Sequence, residues 1–520
     1  MKIEITVKIK NDDGTETIKP ITIDTDIPEF DEFKGSDNFR EVFDKCEKSV
    51  LIIRNKAAEL ALEEYLTELS KKKSSAKAEK AEGAKINEDT SAYEIEAEVG
   101  RLNIMTYRVI RGSRTVFNSR VDLFPKTAQE EKYHSACYDS LELRLASSVP
   151  SYRICDEILN RIRWQDNEKK IKLRTLTDAV EREGNKIIDY IDLKAEQLLK
   201  ENKFDAKTCM PLDINAIEKT ISSPEIPTIS QDKIDKTIDE YNSGKEKERQ
   251  IDETLIHEVF VADEHCINIS VDDVGTVEQK ETGRMKNPPP KENTHYVKNT
   301  VVHIQQGPGK YILDGLGIRK MLVVLTAFLL HNNLFENKCL IFFADGADNI
   351  KNAIKDVFGW RSYRIILDWY HLKKKCQERL SMAMKGREVR NDALKNVLIF
   401  LWLGKVDAAI EYLQGMESNK IKNKEHIEKL IAYFQRNWSY IPCYALRQRL
   451  GLRVSSNRGE KANDLVVAKR QKHNGMSWSK PGSSGLANVS AIFLNKEDEN
   501  WINRRQLDFK LLSGDNKAAA

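Results

Sequence analysis

The chain lacks several things at once. None of its 520 residues fall in an uninterrupted apolar run of about 18, the length a membrane-crossing helix needs. The opening MKIEITVKIKNDDG has no apolar core of the kind a secretory signal carries. Eight cysteines are scattered, with no CxxC pair and no close Cys/His cluster. That argues against a structural zinc site and fits a reducing, cytosolic compartment. Charge of one sign is missing too: 84 Lys and Arg stand against 81 Asp and Glu, a net charge of +3. Any affinity for nucleic acid must therefore come from local patches. No internal repeat is visible. What is present is 40% hydrophobic and 32% charged residues, enough for a real core under a charged surface, in a chain long enough for two to four domains.

Residues 1–25 alternate apolar and polar and predict a β-hairpin around Asp13-Gly14, with helix over 38–69. The stretch 70–92, SKKKSSAKAEKAEGAKINEDTSA, is poor in apolar residues and reads as a linker, or as a solvated helix end. Residues 94–124 are strand-rich and 127–200 helical. Within 150–184, SVPSYRICDEILNRIR, a polar break and KIKLRTLTDAVEREG resemble a helix–turn–helix. Its second helix would bring Arg174, Thr175 and Thr177 to base edges. A plain helical hairpin fits the same pattern. Residues 210–250 read as a second connection, closing a DNA-binding region at 93–250.

From about 255 the texture is mixed α/β: strands at HCINISVDD, YVKNTVVHIQQ, CLIFFAD and YRIILDWY, with helices between and after the later ones. Residues 387–450 read as helix throughout. Three ends carry carboxylates. Asp272-Asp273 closes the strand CINIS, Asp345 closes CLIFFA, and Glu460 lies in a basic helix, SSNRGEKANDLVVAKRQ. Each has an ordinary use, as a turn former or, for Asn457 with Glu460, a capping box. Together they suit a pair of hard divalent cations about 4 Å apart that activate one oxygen and stabilise another at a phosphate. Without a cation the three would repel and raise one another's pKa.

Three blocks resemble a known family. ADGADNIKNAI with FGWRSYRIILDWYHLKKK, ISVDDVGTVEQKETGR, and RGEKANDLVVAKRQKHNGMSWSKPGSSGLANV match, in order, the second-Asp, first-Asp and Glu blocks of bacterial insertion-sequence DDE transposases and their mutator-like relatives. The likeness covers about 255–495. It implies an RNase H-like catalytic core at 255–386 and 451–500, interrupted by a helical insertion at 387–450, with a tail at 501–520. The implied catalytic and metal-binding triad is Asp272, Asp345 and Glu460, holding two Mg²⁺ or Mn²⁺ ions. The intervals of 73 and 115 residues leave room for the insertion. Asp273 rivals Asp272, Asp464 rivals Glu460, and Asp368 is a possible fourth carboxylate. His371 matches the family's His after the second Asp and would support the site or touch phosphate. The chain has no Cys before it to make the CxxH of mutator-like enzymes.

From Ala445 to Lys480, nine Lys and Arg face two acids. Arg453, Arg458, Lys469, Arg470 and Lys472 there, with Lys373 and Lys374 after His371, are the expected phosphate contacts. Trp478 is expected in the core. The resemblance implies a bacterial, nucleoid-associated transposase that binds the terminal inverted repeats of its element. It would cut and join double-stranded DNA as a dimer or larger assembly. A nuclease that cuts without joining, and a transposon-derived DNA-binding protein without catalysis, are the alternatives.

Overall fold

The computed structural model describes residues 2–10, 14, 16–24, 39–125, 132–163, 170–213, 226–279, 295–336, 338–472 and 475–511. The chain divides into two compact units, Met1–Ala179 with Ile502–Arg505, and Val180–Trp501 with Gln506–Ala520. No described helix is long and apolar enough to cross a membrane.

In the first unit, β1 (Lys2–Lys10) and β2 (Glu16–Asp24) form the expected antiparallel hairpin, with Lys10 opposite Glu16. Gly14 sits at the turn with φ of 82°, which costs glycine little. Asp13 lies outside the described residues. Helix α1 runs from Phe39 to Lys80. Of the two readings of 70–92, the linker is corrected and the solvated helix end holds for its first part: α1 runs to Lys80 with most of 71–80 exposed, and β3 (Lys85–Glu88) follows. Ser70 and Ser74 are fully buried, so small polar side chains that look like linker are part of the packed face of α1. Upstream on α1, Glu63 and Thr67 accept the backbone N–H groups of Asn103 and Met105.

Strands β4 (Tyr93–Ala97), β5 (Gly100–Ile104), β6 (Tyr107–Arg111) and β7 (Arg114–Asn118) follow, then a short helix α2 (Ser119–Asp122) and β8 (Tyr133–His134). They form two three-stranded sheets, ordered β3-β6-β7 and β5-β4-β8. Tyr93, Ile95, Leu102, Ile104 and Phe124 make a core against Leu62 and Leu66 of α1. Helices α3 (Ala136–Ser148) and α4 (Tyr152–Arg163) come next, and α5 begins at Leu173 and continues to Glu201.

The second unit starts within α5, far before the boundary expected near 250. Ala195, Leu198 and Leu199 of α5, and Phe204 and Cys209 beyond it, share one core with Ile267, Ile269 and Phe342. The expected connection at 210–250 also contains structure: α6 (Gln231–Asn242) buries Ile234 and Ile238 beside Leu403, Leu446 and Leu450.

The centre of this unit is a five-stranded sheet. Its strands are β9 (Cys266–Val277), β10 (Tyr296–Gln306), β11 (Gly309–Leu316), β12 (Cys339–Ala344) and β13 (Arg364–Leu367), in the order β11-β10-β9-β12-β13. The pairs β9/β10 and β10/β11 are antiparallel, whereas β12 runs parallel to both β9 and β13. Alternation along β9 sorts its two faces. Ile267, Ile269 and Val271 join the core that includes α7 (Ile318–His331) and α8 (Asp348–Phe358).

The other face packs against α9 (Trp369–Ala383) and the helical stretch expected at 387–450. That stretch forms α10 (Arg387–Trp402), α11 (Val406–Gln414), α12 (Lys424–Arg436) and α13 (Tyr444–Arg449). Cys266, Ile341, Phe343 and Ile366 of the sheet share a core with Leu372, Val397, Leu430 and Phe434 of these helices. The insertion is therefore seated on the sheet. The glutamate helix follows as α14 (Asn457–Asn463), a π-helical turn (Asp464–Ala468) and α15 (Lys469–Gln471), then α16 (Lys480–Leu494).

Candidate active site

β9 does not close at Asp272 as expected. It pairs with β10 up to Val277, with Asp272 opposite Val301. What ends early is the other neighbour, since the parallel ladder with β12 stops at Ser270–Phe343. Asp272 therefore stands just past the carboxyl end of the parallel pair, beside the chain leaving β12. Asp273 points to the opposite face, where its Oδ1 accepts the Thr300 hydroxyl at 2.7 Å.

Glu460 comes to Asp272 from α14. This helix lies hard against β9 because residue 459 is glycine. A Cβ there would sit 2.6 Å from the Ser270 Cβ, closer than side chains tolerate. Nothing in the sequence alone marks Gly459 as the point of contact, because its partner Ser270 is distant in the chain. We expect Gly459→Ala to push α14 off the strand, costing roughly 1–3 kcal/mol as overpacking does. It should also impair any activity that needs Glu460. Adding Ser270→Gly clears the obstructing atoms, so activity should recover in the double variant. A Gly459→Ala variant with unchanged activity would show that the close approach is dispensable.

The capping-box reading of Glu460 fails on geometry. The residue before α14 is Ser456, and Asn457 is already helical, with its Oδ1 accepting the Ser455 hydroxyl. The Glu460 carboxylate instead meets His371, Oε1 to Nε2 at 2.6 Å. One turn on, Asn463 donates from Nδ2 to Asp272 Oδ2 at 2.8 Å. The ligand atoms of Asp272, His371 and Glu460 all lie within 4.8 Å of one another. Asp464, which opens the π-helical turn, is not in that group.

Asp368 has a different task from the one considered for it. It is fully buried and caps α9, accepting the backbone N–H of Tyr370 at 2.7 Å and of His371 at 3.3 Å. Its other oxygen, Oδ2, accepts the Ser456 N–H, and the capping oxygen, Oδ1, also lies 3.2 Å from the Ser455 hydroxyl. One carboxylate thus ties the start of α9 to the entry of α14, and so sets His371 against Glu460.

Asp345 lines the same small cavity as Asp272, His371 and Glu460, outside the tightest trio. Its Oδ1 accepts the Ala347 N–H at 2.8 Å, and its carbonyl accepts the Tyr433 hydroxyl of α12 at 2.9 Å. The loop needs Gly346, with φ of 85°; a Cβ there would meet Leu367 at 2.8 Å and the Asn437 Oδ1 at 3.0 Å.

The charges respond to one another. Burial pushes the Asp272 carboxyl up to about 6, with Glu460 and Asp345 adding to the rise and His371 opposing it. The hydrogen bond from His371 lowers Glu460, helped against burial by the charges of His371, Lys374 and Lys472. Burial opposes charge on His371, yet the Glu460 hydrogen bond and the charges of Asp368, Glu460 and Asp272 raise it overall.

Among the expected phosphate contacts, Arg458, Lys469, Lys472, Lys373 and Lys374 are exposed. Arg470 is corrected: it is 2% exposed, its guanidinium 5.4 Å from the centre of the Trp478 ring, so it is part of the interior. Trp478 is buried as expected. Arg453 is engaged by Gln305 and by Asp263 at 3.8 Å, which makes it a brace rather than a free cation. In the first unit, Arg174 and Thr175 are exposed, but the Thr177 hydroxyl donates to the Arg174 carbonyl of its own helix. The turn between α4 and α5 falls partly on residues 164–169, outside the described residues.

One other grouping of possible ligands occurs among the described residues: His134, Asp139 and Glu142 in the first unit. Its members already have protein partners. Arg505 reaches Asp139 at 2.8 Å, His134 meets Asp139 at 3.2 Å, and Tyr138 donates to Glu142 at 3.1 Å.

Residues 318–505 match the model of an uncharacterised protein family, UPF0236. The matched stretch includes Asp345, His371, the helical insertion and Glu460, and begins after Asp272. No curated relative matches the sequence.

Proposed function

We propose that this chain is a DNA transposase whose second unit cleaves DNA and joins the freed 3′-OH to target DNA, with Asp272, Asp345 and Glu460 as the catalytic carboxylates. The observation that carries the reading is that these three carboxylates, from separate stretches of the chain, line one small cavity with His371: Asp272 on β9, Asp345 just past β12 and Glu460 on α14. The sheet order β11-β10-β9-β12-β13, an antiparallel meander followed by two parallel strands, is a mixed sheet compatible with the RNase H-like core that the resemblance implies.

The donor set suits a hard divalent cation such as Mg²⁺ or Mn²⁺: carboxylate oxygens with one imidazole, in a cluster where burial first, and then Glu460 and Asp345, raise the Asp272 pKa. Asp272, Asp345 and Glu460 would hold it. Bound there, such an ion would polarise the scissile phosphate and strengthen an attacking water or hydroxyl.

The chain's own residues supply position. His371 fixes one Glu460 oxygen, Asn463 orients Asp272, and Ala347 and Tyr433 hold the Asp345 loop. Lys374 and Lys472 add positive potential where phosphate charge would gather. Cleavage and joining are both displacements at phosphorus, so one site can serve both.

The test uses the full chain with a duplex bearing the inverted repeats that flank its gene and ending in a free 3′-OH. Joined product in Mg²⁺ is expected. Hydrolysis without joining would reassign the protein as a nuclease, and neither product would remove the enzymatic reading.

A further inference from the structure

We infer that the groove between α9 and α12, beside the carboxylates, is a subsite for the phosphodiester backbone of duplex DNA. The inference rests on the function proposed above and extends it to residues of the helical insertion.

The groove encloses about 790 Å³ and begins at Asp345 and His371, which also line the carboxylate cavity. One wall is the face of α9 that carries His371, Lys374, Lys375, Glu378 and Arg379. The other is the face of α12 that carries Lys429, Tyr433 and Arg436. Each set repeats at three- and four-residue steps, so each is a single helical face. Five cations line the groove against the three carboxylates Asp345, Asp348 and Glu378.

Those cations are not tied up equally. Lys429 pairs with Glu425 at 2.5 Å, and Arg436 stands 3.8 Å from Asp348. Arg379 shares a hydrogen bond with His426 at 3.2 Å. Lys374 and Lys375 have no ion-pair partner among the described residues. Holding uncompensated positive charge along a concave surface favours a polyanion. At 1.5 Å rise per residue, His371 to Arg379 spans roughly 12 Å. Measured along the axis of a duplex, that length carries roughly three to four phosphates of one strand. The backbone entering at Arg379 and Lys429 would run toward His371 and deliver a phosphate to the carboxylates.

This also accounts for the seat of α12. Its Tyr433 hydroxyl holds the Asp345 carbonyl, and its flanking Asn437 accepts from the Lys351 ammonium at 3.0 Å. The insertion that forms the outer wall is fastened to the loop that carries a catalytic carboxylate.

The test measures binding of a random-sequence DNA duplex by fluorescence anisotropy, in EDTA, across a salt series. The full chain is compared with the Lys375→Ala/Arg379→Ala/Lys429→Ala variant. Three lost phosphate contacts should flatten the plot of log affinity against log salt by about 2–3, at about 0.9 per contact. Affinity at low salt should fall at least tenfold. A variant with Lys395→Ala, Lys420→Ala and Lys424→Ala removes equal charge from the insertion outside the groove, and should keep the wild-type slope. Lys429→Glu, a single change at an exposed site, repeats the test if the triple variant folds poorly. An unchanged slope, or an equal loss in the control, overturns the groove while leaving the carboxylate reading untouched. Because no cleavage occurs in EDTA, an inactive wild type would overturn that reading and leave a positive groove result standing.

Discussion

Glu460→Gln is expected to fold like the wild type and to lose at least about a hundredfold in cleavage rate, in Mg²⁺ and in Mn²⁺ alike. The estimate takes the lower end of what removing one charge-stabilising group costs in a preorganised site. Stability should hardly move. Glu460 makes no helix cap, and its pair with His371 joins two partly buried side chains by a hydrogen bond that glutamine can keep, so only the charge part, about 1 kcal/mol, is at stake. Glutamine keeps the shape and can still accept from the imidazole. What disappears is the negative charge and one hard oxygen ligand. Asp464→Asn is the matched control one turn along the same helix. Asp464 lies outside the group formed by Asp272, His371 and Glu460, so that variant should keep most of its activity. Cleavage by Glu460→Gln within threefold of wild type would remove Glu460 from the chemistry. Loss of activity in Asp464→Asn alone would move the third carboxylate by one turn.

Much of this site was legible because strand-end and helix-start carboxylates stand out against apolar strands. The step from CLIFFA into Asp345 is abrupt, and the RGE block sits in a basic helix. Choosing Asp272 over Asp273 was not a matter of sequence. It depends on which face of β9 looks toward β12, and both side chains follow the same apolar run. Gly459 and Asp368 were harder still. Each acts through a neighbour distant in the chain, Ser270 and Ser456 respectively, and a single sequence carries no trace of such pairs. Arg470 misled for the converse reason: a cation inside a basic run counts as surface until its burial over Trp478 is known. The linker at 70–92 failed because composition reports average polarity, while α1 buries small polar side chains at Ser70 and Ser74. The domain boundary failed because the amphipathic pattern of α5 continues unbroken through a change of partner. Its buried residues belong to the sheet core from Ala195 onward.

Asp272→Asn should make the metal-free protein more stable at neutral pH, while abolishing cleavage. Burial pushes the Asp272 carboxyl up to about 6 from its ordinary 3.8, so the folded state holds this proton more tightly than the unfolded chain does. Stability from the neutral form is complete below the unfolded pKa and is lost as pH rises through the folded one. A rise of about two pKa units is worth about 3 kcal/mol at neutral pH, at about 1.4 kcal/mol per unit. Asparagine avoids that cost. It cannot accept from both the Asn463 amide and the Asp273 N–H as the carboxylate does, so about 1 kcal/mol is returned. The net gain in EDTA near pH 7.5 is about 1–3 kcal/mol, read as a melting temperature a few degrees higher. Near pH 4 both side chains are neutral and the two proteins should converge, or the variant fall slightly below. Adding Mn²⁺ reverses the order at neutral pH. The wild type gains stability from an ion that binds only the folded state, and the variant gains little. Protons compete for the same carboxylate, so the wild-type response to Mn²⁺ should weaken as pH falls below about 6. A variant that melts lower than wild type in EDTA at pH 7.5, or a gap that stays constant on acidification, would show that Asp272 is not held as a costly charge. The case for a cation at that position would then lose its physical ground.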